Sequence, residues 1–298
     1  MSECSLGILV IAGPTASGKT AAAIEVAKRW PVQIISADAM QVYRGMDIGT
    51  AKEPPEVLLE HPHSCLSIRE PSESYSATDF AADADKAIAQ AHSDGKRVIV
   101  VGGTGFYLRA LLEGLVEAPS ADLEMRERLE ALENPHAELS LIDPLLAEKL
   151  HPNDHVRIIR GIEVYQLTGK TLSSLHSEHN PEPRYHSVRL WLDRGDIKER
   201  INSRVEEMMR AGYLQEVRRL LDSGVSRSCK PMKSLGYKHL SSHLAGEIPL
   251  EEAVRLTKRD TRHFVKKQRL MLKSVGGFEK IEEDHIASVL AAASRLFG

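Results

Sequence analysis

The chain has 298 residues, of which 42% are hydrophobic and 27% charged, and its 39 Lys and Arg against 42 Asp and Glu give a formal charge of -3. This composition is typical of a globular protein and excludes a disordered, collagen-like or supercharged chain. The balance excludes a protein coated in positive charge, but it leaves room for one basic segment.

Strands and helices alternate in the first part of the chain. The predicted elements are strand Leu6–Ala12, helix Thr20–Trp30, strand Val32–Ser36, strand Leu66–Ile68, a helix capped by Ser76 that runs to about Ala91, and strand Arg97–Val101. This alternation predicts an α/β fold with a parallel sheet.

The pattern changes at Ala118, where an almost wholly helical stretch with charged faces begins. Ser187–Leu192 then predicts a strand again, and Gly276-Gly277 is expected to end the longest helix. We therefore expect a core formed by residues 1–117 and 187–298, with an all-helical insertion domain at 118–186.

Residues 13–20 match the phosphate-binding pattern G-x-x-x-x-G-K-[ST], between a predicted strand and a predicted helix. This phosphate loop consists of Gly13, Pro14, Thr15, Ala16, Ser17, Gly18, Lys19 and Thr20. Its backbone N–H groups and Lys19 are suited to a phosphate group, and the Thr20 hydroxyl to Mg²⁺. The motif predicts a P-loop NTPase-like core.

One feature argues against phosphoryl transfer. P-loop NTPases hold Mg²⁺ with an acidic residue after a later strand, but the strand at Val98–Val101 ends in Gly102-Gly103-Thr104. The phosphate that binds here need not be the transferred group, and a diphosphate could instead be the leaving group.

Asp38 follows the second predicted strand, and Thr104 follows the strand that ends in the glycine pair. Ligands of open α/β sheets bind at the carboxyl ends of the strands, so both residues are expected beside the phosphate loop. Asp38 could accept a proton from a nucleophile, or it could simply stabilise a local turn; spacing alone leaves both open.

Together the motifs resemble those of the bacterial tRNA dimethylallyltransferases (tRNA isopentenyltransferases). The resemblance extends from residue 7 to about 270 and is carried by GPTASGKT (13–20), SADAMQVYRGMDIGTAK (36–52), VGGTGFYLRALLEG (101–114), HPNDHVRIIRGIEVYQLTGK (151–170), RINSRVEEMMRAGYLQEV (200–217) and LGYKHL (235–240). The second segment is much more specific than the phosphate loop.

The resemblance implies transfer of the five-carbon prenyl group of dimethylallyl diphosphate to N6 of the adenosine immediately 3′ of the tRNA anticodon. By similarity Asp38 is the base, Thr104 helps to orient the amino group, the phosphate loop holds the diphosphate, and Thr20 holds Mg²⁺. Arg200 or Arg204, one helical turn apart, is expected to contact the diphosphate, and the sequence leaves that choice open.

The resemblance also implies contacts with the tRNA anticodon stem-loop. The expected residues are Asp38, Ala39, Met40, Gln41 and Thr104 near the flipped base, and Arg126, Val156, Arg157, Ile158, Ile159 and Arg160 in the insertion domain. Family members usually have Gln at Val156, Ala at Gly161 and T-W-F-R where residues 270–273 stand here, so the departures from the family fall on the tRNA contacts and not on the residues of the chemistry.

A basic segment supports RNA binding independently. Nine Lys or Arg and two acidic residues lie between Arg255 and Lys280, a net charge of +7, so the rest of the chain carries -10. A helix through this segment would carry one basic stripe, Arg255, Arg259, Arg262, Lys266, Arg269 and Lys273, beside a less polar stripe, Val254, Thr257, Thr261, Phe264, Gln268, Met271 and Val275. We expect Arg262, Lys266 and Arg269 to bind tRNA; an ordinary solvated face is the alternative.

Three other functions fit part of the pattern: a small-molecule P-loop kinase, a cytokinin-forming adenine-nucleotide prenyltransferase, and a non-catalytic RNA-binding module. Cys4, Cys65 and Cys229 are odd in number and far apart, which predicts reduced thiols and no zinc site. No basic segment precedes the first apolar run, so we expect no signal peptide and a cytoplasmic, monomeric enzyme that does not bind membranes.

Overall fold

A computed structural model of the chain describes residues 7–298. The chain divides into two compact units, one formed by the residues up to Leu112 with Pro183–Gly298, the other by Glu113–Glu182. The insertion domain was expected at 118–186. The second unit begins five residues before that range and ends four residues before the end of it.

The first unit contains a six-stranded parallel sheet with the strand order β3-β2-β4-β1-β5-β6. The strands are β1 (Ile8–Ala12), β2 (Val32–Ala37), β3 (His63–Ser64), β4 (Arg97–Gly102), β5 (Ser187–Leu192) and β6 (Glu279–Ile281). The phosphate-loop strand β1 therefore lies between β4 and β5, and the expected α/β fold is confirmed.

The strand predicted at Leu66–Ile68 is wrong, because Cys65 and Ser67 have left-handed backbone conformations, with φ 60° and 54°, that interrupt an extended strand. Pairing with β2 occurs just before, at His63–Ser64. The short edge strand β6 was not predicted. Leu6 and Cys4 lie outside the described residues.

The helices predicted after the phosphate loop and after Ser76 are present in the first unit, whereas those at Pro55–Glu60 and Gly105–Glu113 were not predicted. The helices of this unit are α1 (Lys19–Ala27), α2 (Pro55–Glu60), α3 (Ala77–Ser93), α4 (Gly105–Glu113), α10 (Ile197–Arg210), α11 (Tyr213–Asp222), α12 (Tyr237–Leu244), α13 (Leu250–Val275) and α14 (His285–Phe297), with a 3₁₀ turn at Pro231–Lys233. Ser76 caps α3 through a capping box with Asp79, and α13 ends at the predicted glycine pair.

The core of the first unit lies between the sheet and the helices α1 and α14, and is formed by apolar side chains of β1, β2, β4 and β5 with those of the two helices. Of the helices in residues 7–298, none is both long and apolar enough to span a bilayer. Cys65 is buried and Cys229 partly buried, both as free thiols.

The second unit is helical. Its helices are α5 (Leu123–Glu130), α6 (Pro135–Ile142), α7 (Pro144–Lys149), α8 (His155–Thr168) and α9 (Leu172–Glu178). The last residue of α4, Glu113, is the first residue of this unit. Each of these five helices begins with a side-chain cap, provided in order by Asp122, Asn134, Asp143, Asp154 and Thr171. Their apolar faces form a separate small core.

Candidate active site

The phosphate loop joins β1 to α1 and contains two residues in the left-handed region, Ala16 (φ 65°) and Gly18 (φ 90°), the latter capping α1. Such a backbone turns successive N–H groups towards one point, where the helix N-terminus adds partial positive charge. Within the described chain, the backbone N–H groups of Gly18, Lys19 and Thr20 donate to no protein acceptor. The loop is therefore built to receive an anion.

Side chains hold the carbonyl oxygens of this loop. Lys19 Nζ donates to Pro14 O (2.7 Å), and Arg200 Nε donates to Ala16 O (2.9 Å). With these carbonyl oxygens engaged, the free N–H groups keep their orientation.

Two residues that the sequence did not assign to the site also hold the loop. The ring nitrogens of His285 lie 3.1 Å from Ser17 O and 2.8 Å from Asp193 O, and Gln268 Oε1 accepts the N–H of Thr15 (3.0 Å). No local motif marks them, because their partners in the loop are more than 250 positions away.

A crevice of about 730 Å³ lies at the carboxyl ends of β2 and β4, next to the phosphate loop and lined also by α10 and α13. It is lined by twelve of the predicted residues, Thr15, Ala16, Gly18, Lys19, Thr20, Asp38, Ala39, Met40, Gln41, Thr104, Arg200 and Arg204. The structure thus brings the predicted phosphate site and the predicted base into one cavity.

Gly13, Pro14 and Ser17 are buried and do not line the crevice. The Ser17 hydroxyl is fully buried and has no hydrogen-bond partner in the described part of the chain. The contact of Ser17 with the diphosphate stays a prediction.

Positive charge is concentrated at the phosphate end of the crevice. Burial and the nearby Arg204 lower the pKa of Lys19 to about 8, with Asp38 partly opposing the shift. Burial also lowers the pKa of Arg204, against the opposing effect of Asp38 and Glu53. The Arg204 guanidinium makes no hydrogen bond or ion pair to residues 7–298, so it is available to an anionic ligand.

Asp38 and Thr104 follow the neighbouring strands β2 and β4. Asp38 Oδ1 accepts the N–H groups of Met40 (2.9 Å) and Gln41 (3.4 Å), and Thr104 Oγ1 accepts the N–H of Ala39 (3.0 Å). The local-turn role therefore applies to one carboxylate oxygen, whereas Oδ2 has no hydrogen-bond partner among the described residues. That oxygen is available as a base.

The loop after Asp38 is held by buried hydrogen bonds. Gln41 Oε1 accepts the hydroxyl of Ser36 (2.8 Å), and its Nε2 donates to the carbonyl oxygens of Thr50 (3.2 Å) and Ala51 (3.4 Å). The amide of Gln41 is thus occupied within the protein, although the residue lines the crevice. Its contact with the nucleotide stays a prediction.

Glu216, a buried residue of α11, was not among the predicted site residues. Its carboxylate accepts the N–H groups of Asp47 (2.9 Å), Ile48 (2.7 Å) and Gly49 (3.0 Å), and the hydroxyl of Tyr237 (2.7 Å). Glu216 therefore fixes the segment that leads to the crevice residues Gly49–Ala51.

In the second unit, Arg126 and Arg160 both bind the fully buried carboxylate of Glu163, and Arg157 pairs with Asp154. Burial alone would raise the pKa of Glu163, but the hydrogen bonds from the two arginines outweigh it and lower the pKa. None of the predicted contact residues of this unit lines the crevice.

Ile158 and Ile159, for which a tRNA contact stays a prediction, are buried in the core of the second unit. Their positions on α8 face its packed side, so their side chains are not accessible to RNA. Val156, two residues before Ile158, is 81% exposed.

The basic stripe of α13 is partly neutralised. Arg255 pairs with Glu252, Arg259 with Asp260 and Arg269 with Asp193, and Arg262 donates to Asn202 Oδ1. Lys266 and Lys273 are exposed and form no ion pair with any described residue. The packed face is also turned slightly, since Ala253, Val265 and Leu272 are buried while Phe264 and Met271 line the crevice.

Asp193 is the acidic residue that follows β5, the other neighbour of β1. It is buried against Arg269 (2.6 Å) and does not line the crevice. Fold and crevice together define a P-loop α/β protein in which the phosphate loop and the carboxylate of Asp38 line one cavity.

Comparisons with known proteins agree. A family profile described as IPP transferase matches residues 41–274. Among curated proteins, tRNA dimethylallyltransferase 2 of Geotalea uraniireducens is 47% identical over 275 residues (89% of each chain), and tRNA dimethylallyltransferase 1 of Trichlorobacter lovleyi is 45% identical over 300 residues (97% of this chain and 98% of that one).

Solved structures give the same answer. A tRNA isopentenylpyrophosphate transferase of Staphylococcus epidermidis is 33% identical with a TM-score of 0.71, covering 97% of this chain and 98% of its own. A eukaryotic dimethylallyltransferase acting on tRNA has a TM-score of 0.81 at 27% identity, covering 97% of this chain and 79% of its own. The chain belongs to the tRNA dimethylallyltransferase family.

Proposed function

We propose that this protein transfers a dimethylallyl group from dimethylallyl diphosphate to N6 of the adenosine immediately 3′ of the anticodon of tRNA, and releases diphosphate. The observation that carries the proposal is the presence of Lys19 and Asp38 in one crevice, close enough for their charges to interact. One end of the cavity is suited to a leaving diphosphate and the other to a nucleophile that must lose a proton.

In the proposed reaction the N6 nitrogen bonds to C1 of the prenyl group while the C1–O bond to diphosphate breaks. The electron pair of that bond leaves with the diphosphate, and the N6 proton passes to Oδ2 of Asp38. Lys19, Arg204 and the loop N–H groups stabilise the charge that develops on the diphosphate. We assign the ligand contact to Arg204 because its guanidinium is free, whereas Arg200 already donates to the loop.

Mg²⁺ fits the chemistry of this site. In residues 7–298 no group of three or more His, Cys, Asp or Glu could hold a metal, but Mg²⁺ commonly takes one or two protein ligands together with phosphate oxygens and water. Thr20, which lines the crevice beside Lys19, would provide that ligand. The ion would help to neutralise the leaving diphosphate.

For tRNA we propose contacts with the exposed end of α8, at Val156 and Arg157, with Arg126 and Arg160, and with Lys266 on α13. Arg126 and Arg160 keep partly exposed side chains while bound to Glu163. We also propose that the protein acts as a monomer and in the cytoplasm, where it would meet its tRNA substrate.

The test is incubation with Mg²⁺ and labelled dimethylallyl diphosphate, with unmodified tRNA, AMP or no acceptor. We expect label in tRNA alone. Label in AMP would favour the cytokinin-forming alternative, and ATP consumption without prenyl transfer would favour a kinase; either result would overturn the proposal.

A further inference from the structure

Gln268, on α13, places a buried amide between two parts of the crevice. The residue is 7% exposed. Its Oε1 accepts the N–H of Thr15 (3.0 Å), and its Nε2 donates to the carbonyl oxygen of Gly103 (3.2 Å). An N–H requires an acceptor and a carbonyl requires a donor, so only this orientation of the amide satisfies both partners.

The two partners belong to opposite functional halves. Thr15 is part of the phosphate loop. Gly103 precedes Thr104, whose hydroxyl oxygen accepts the N–H of Ala39, the residue after Asp38. The amide therefore links the phosphate end of the crevice to the end that carries the base.

This link begins where the sheet stops. The register of β1 and β4 ends at the pair Ala12 and Gly102, so the next residues are not connected by the strand ladder. A side-chain carbon at Gly103 would lie 2.5 Å from Gln268 Nε2 and 2.9 Å from Gly13 O. Only glycine allows the amide and the phosphate-loop backbone to approach this closely.

We infer that Gln268 is a positioning residue that sets the spacing between the diphosphate and the Asp38–Thr104 pair. The inference rests on the proposed function, because it concerns the distance between the prenyl carbon and the adenine nitrogen. Reacting atoms have to lie about 3–3.5 Å apart, and a misplacement of about 1 Å can reduce the rate by about 10²-fold. Gln268 affects this distance through the two backbone groups that it holds.

Two substitutions test the inference. Gln268→Glu keeps the shape and the bond to Thr15 but places a second acceptor against Gly103 O; Gln268→Met keeps similar volume and removes both hydrogen bonds. We expect the single-turnover rate at saturating substrates to fall about 10²-fold. The dissociation constants for tRNA and for an unreactive prenyl diphosphate analogue should stay within threefold of the wild-type values.

Gln33→Met is the matched control. Gln33 also uses its amide to hold backbone, donating to the carbonyl oxygen of Pro62 (3.3 Å), but it lies at the start of β2 and does not line the crevice. Its rate should equal that of the wild type. If Gln268→Met does not fold, Gln268→Glu carries the test, since it retains one bond and the same shape.

Variants of Gln268 that keep the wild-type rate, or that lose activity only through weaker substrate binding, would overturn the inference. A wild-type protein that labels no tRNA would instead count against the proposed function. The result for the wild-type protein therefore distinguishes a failure of the inference from a failure of the proposed function.

Discussion

At the scale of single residues, the two oxygens of Asp38 have different tasks. Oδ1 accepts two backbone N–H groups and fixes the turn, and Oδ2 is left for the substrate. A carboxamide can reproduce the first task but not the second, because an amide is not a base. The two tasks can therefore be separated by one substitution.

We expect Asp38→Asn to keep the turn and to lower the turnover of tRNA prenylation by about 10²–10⁴-fold, the usual contribution of a general base. The affinity for tRNA should change little, since Asn retains the Oδ1 acceptor. Turnover and tRNA dissociation constants of the two proteins are the measurements. Unchanged turnover would remove Asp38 from the mechanism.

Lys19 makes the affinity for the diphosphate depend on pH. Its pKa is lowered to about 8 by burial and by Arg204, so the free protein loses this charge as the pH rises through about 8. The affinity for a prenyl diphosphate analogue should be constant below this pH and fall by at most about tenfold per pH unit above it.

Lys19→Arg is the control for this pH dependence, because a guanidinium stays protonated throughout the range. Calorimetric titrations of both proteins between pH 6 and 10 should show the fall only with lysine. The same fall in the arginine variant would assign it to another group.

At the scale of elements, α13 shows what charge counting can and cannot predict. Its glycine stop and its basic segment follow from the sequence. The pairing of Arg269 with Asp193 does not, because the partners are 76 positions apart. For the same reason the packing of Gln268 against the phosphate loop was not predicted. The sequence placed Gln268 only in a less polar stripe of the helix.

The unpaired lysines of α13 should contribute most of its attraction for RNA. We expect Lys266→Gln with Lys273→Gln to reduce the slope of log K against log salt concentration by about 1–2. Arg255→Gln with Arg259→Gln is the control, with a smaller change, since both arginines already bind carboxylates. Filter binding at several salt concentrations measures the slope for the wild type and for both double variants. Equal slopes in all three proteins would show that α13 is an ordinary solvated face that does not bind RNA.

At the scale of the whole molecule, hydrophobic periodicity was sufficient to predict a parallel sheet and a helical insertion. It located the crevice as well, because parallel strands carry their ligands at one edge. Glu216 and His285 escaped prediction because each acts on backbone groups that only the folded chain brings near it.

The insertion should be separable from the core. The backbone N–H of Arg184 donates to Leu112 O at 3.0 Å. The points at which the chain leaves and re-enters the first unit therefore lie side by side. We expect a chain with residues 113–182 replaced by a short Gly-Ser linker to unfold cooperatively and to bind prenyl diphosphate as the whole chain does. Its kcat/KM for tRNA should fall by about 10²-fold or more, as for the loss of two charge-assisted contacts.

Calorimetric melting, analogue binding and tRNA labelling of the shortened chain are the measurements. Full tRNA activity would show that the insertion does not contact the substrate. Loss of analogue binding would show that the core depends on it.

The residues that hold the phosphate loop also determine when the site can form. The loop occupies residues 13–20, but Arg200, Gln268 and His285, which hold it, come 184, 253 and 268 positions after their partners. The ribosome releases the loop before any of these three residues. The nascent chain therefore carries the motif before it carries the residues that hold the loop, and we expect the diphosphate site to form only after His285 has been synthesised.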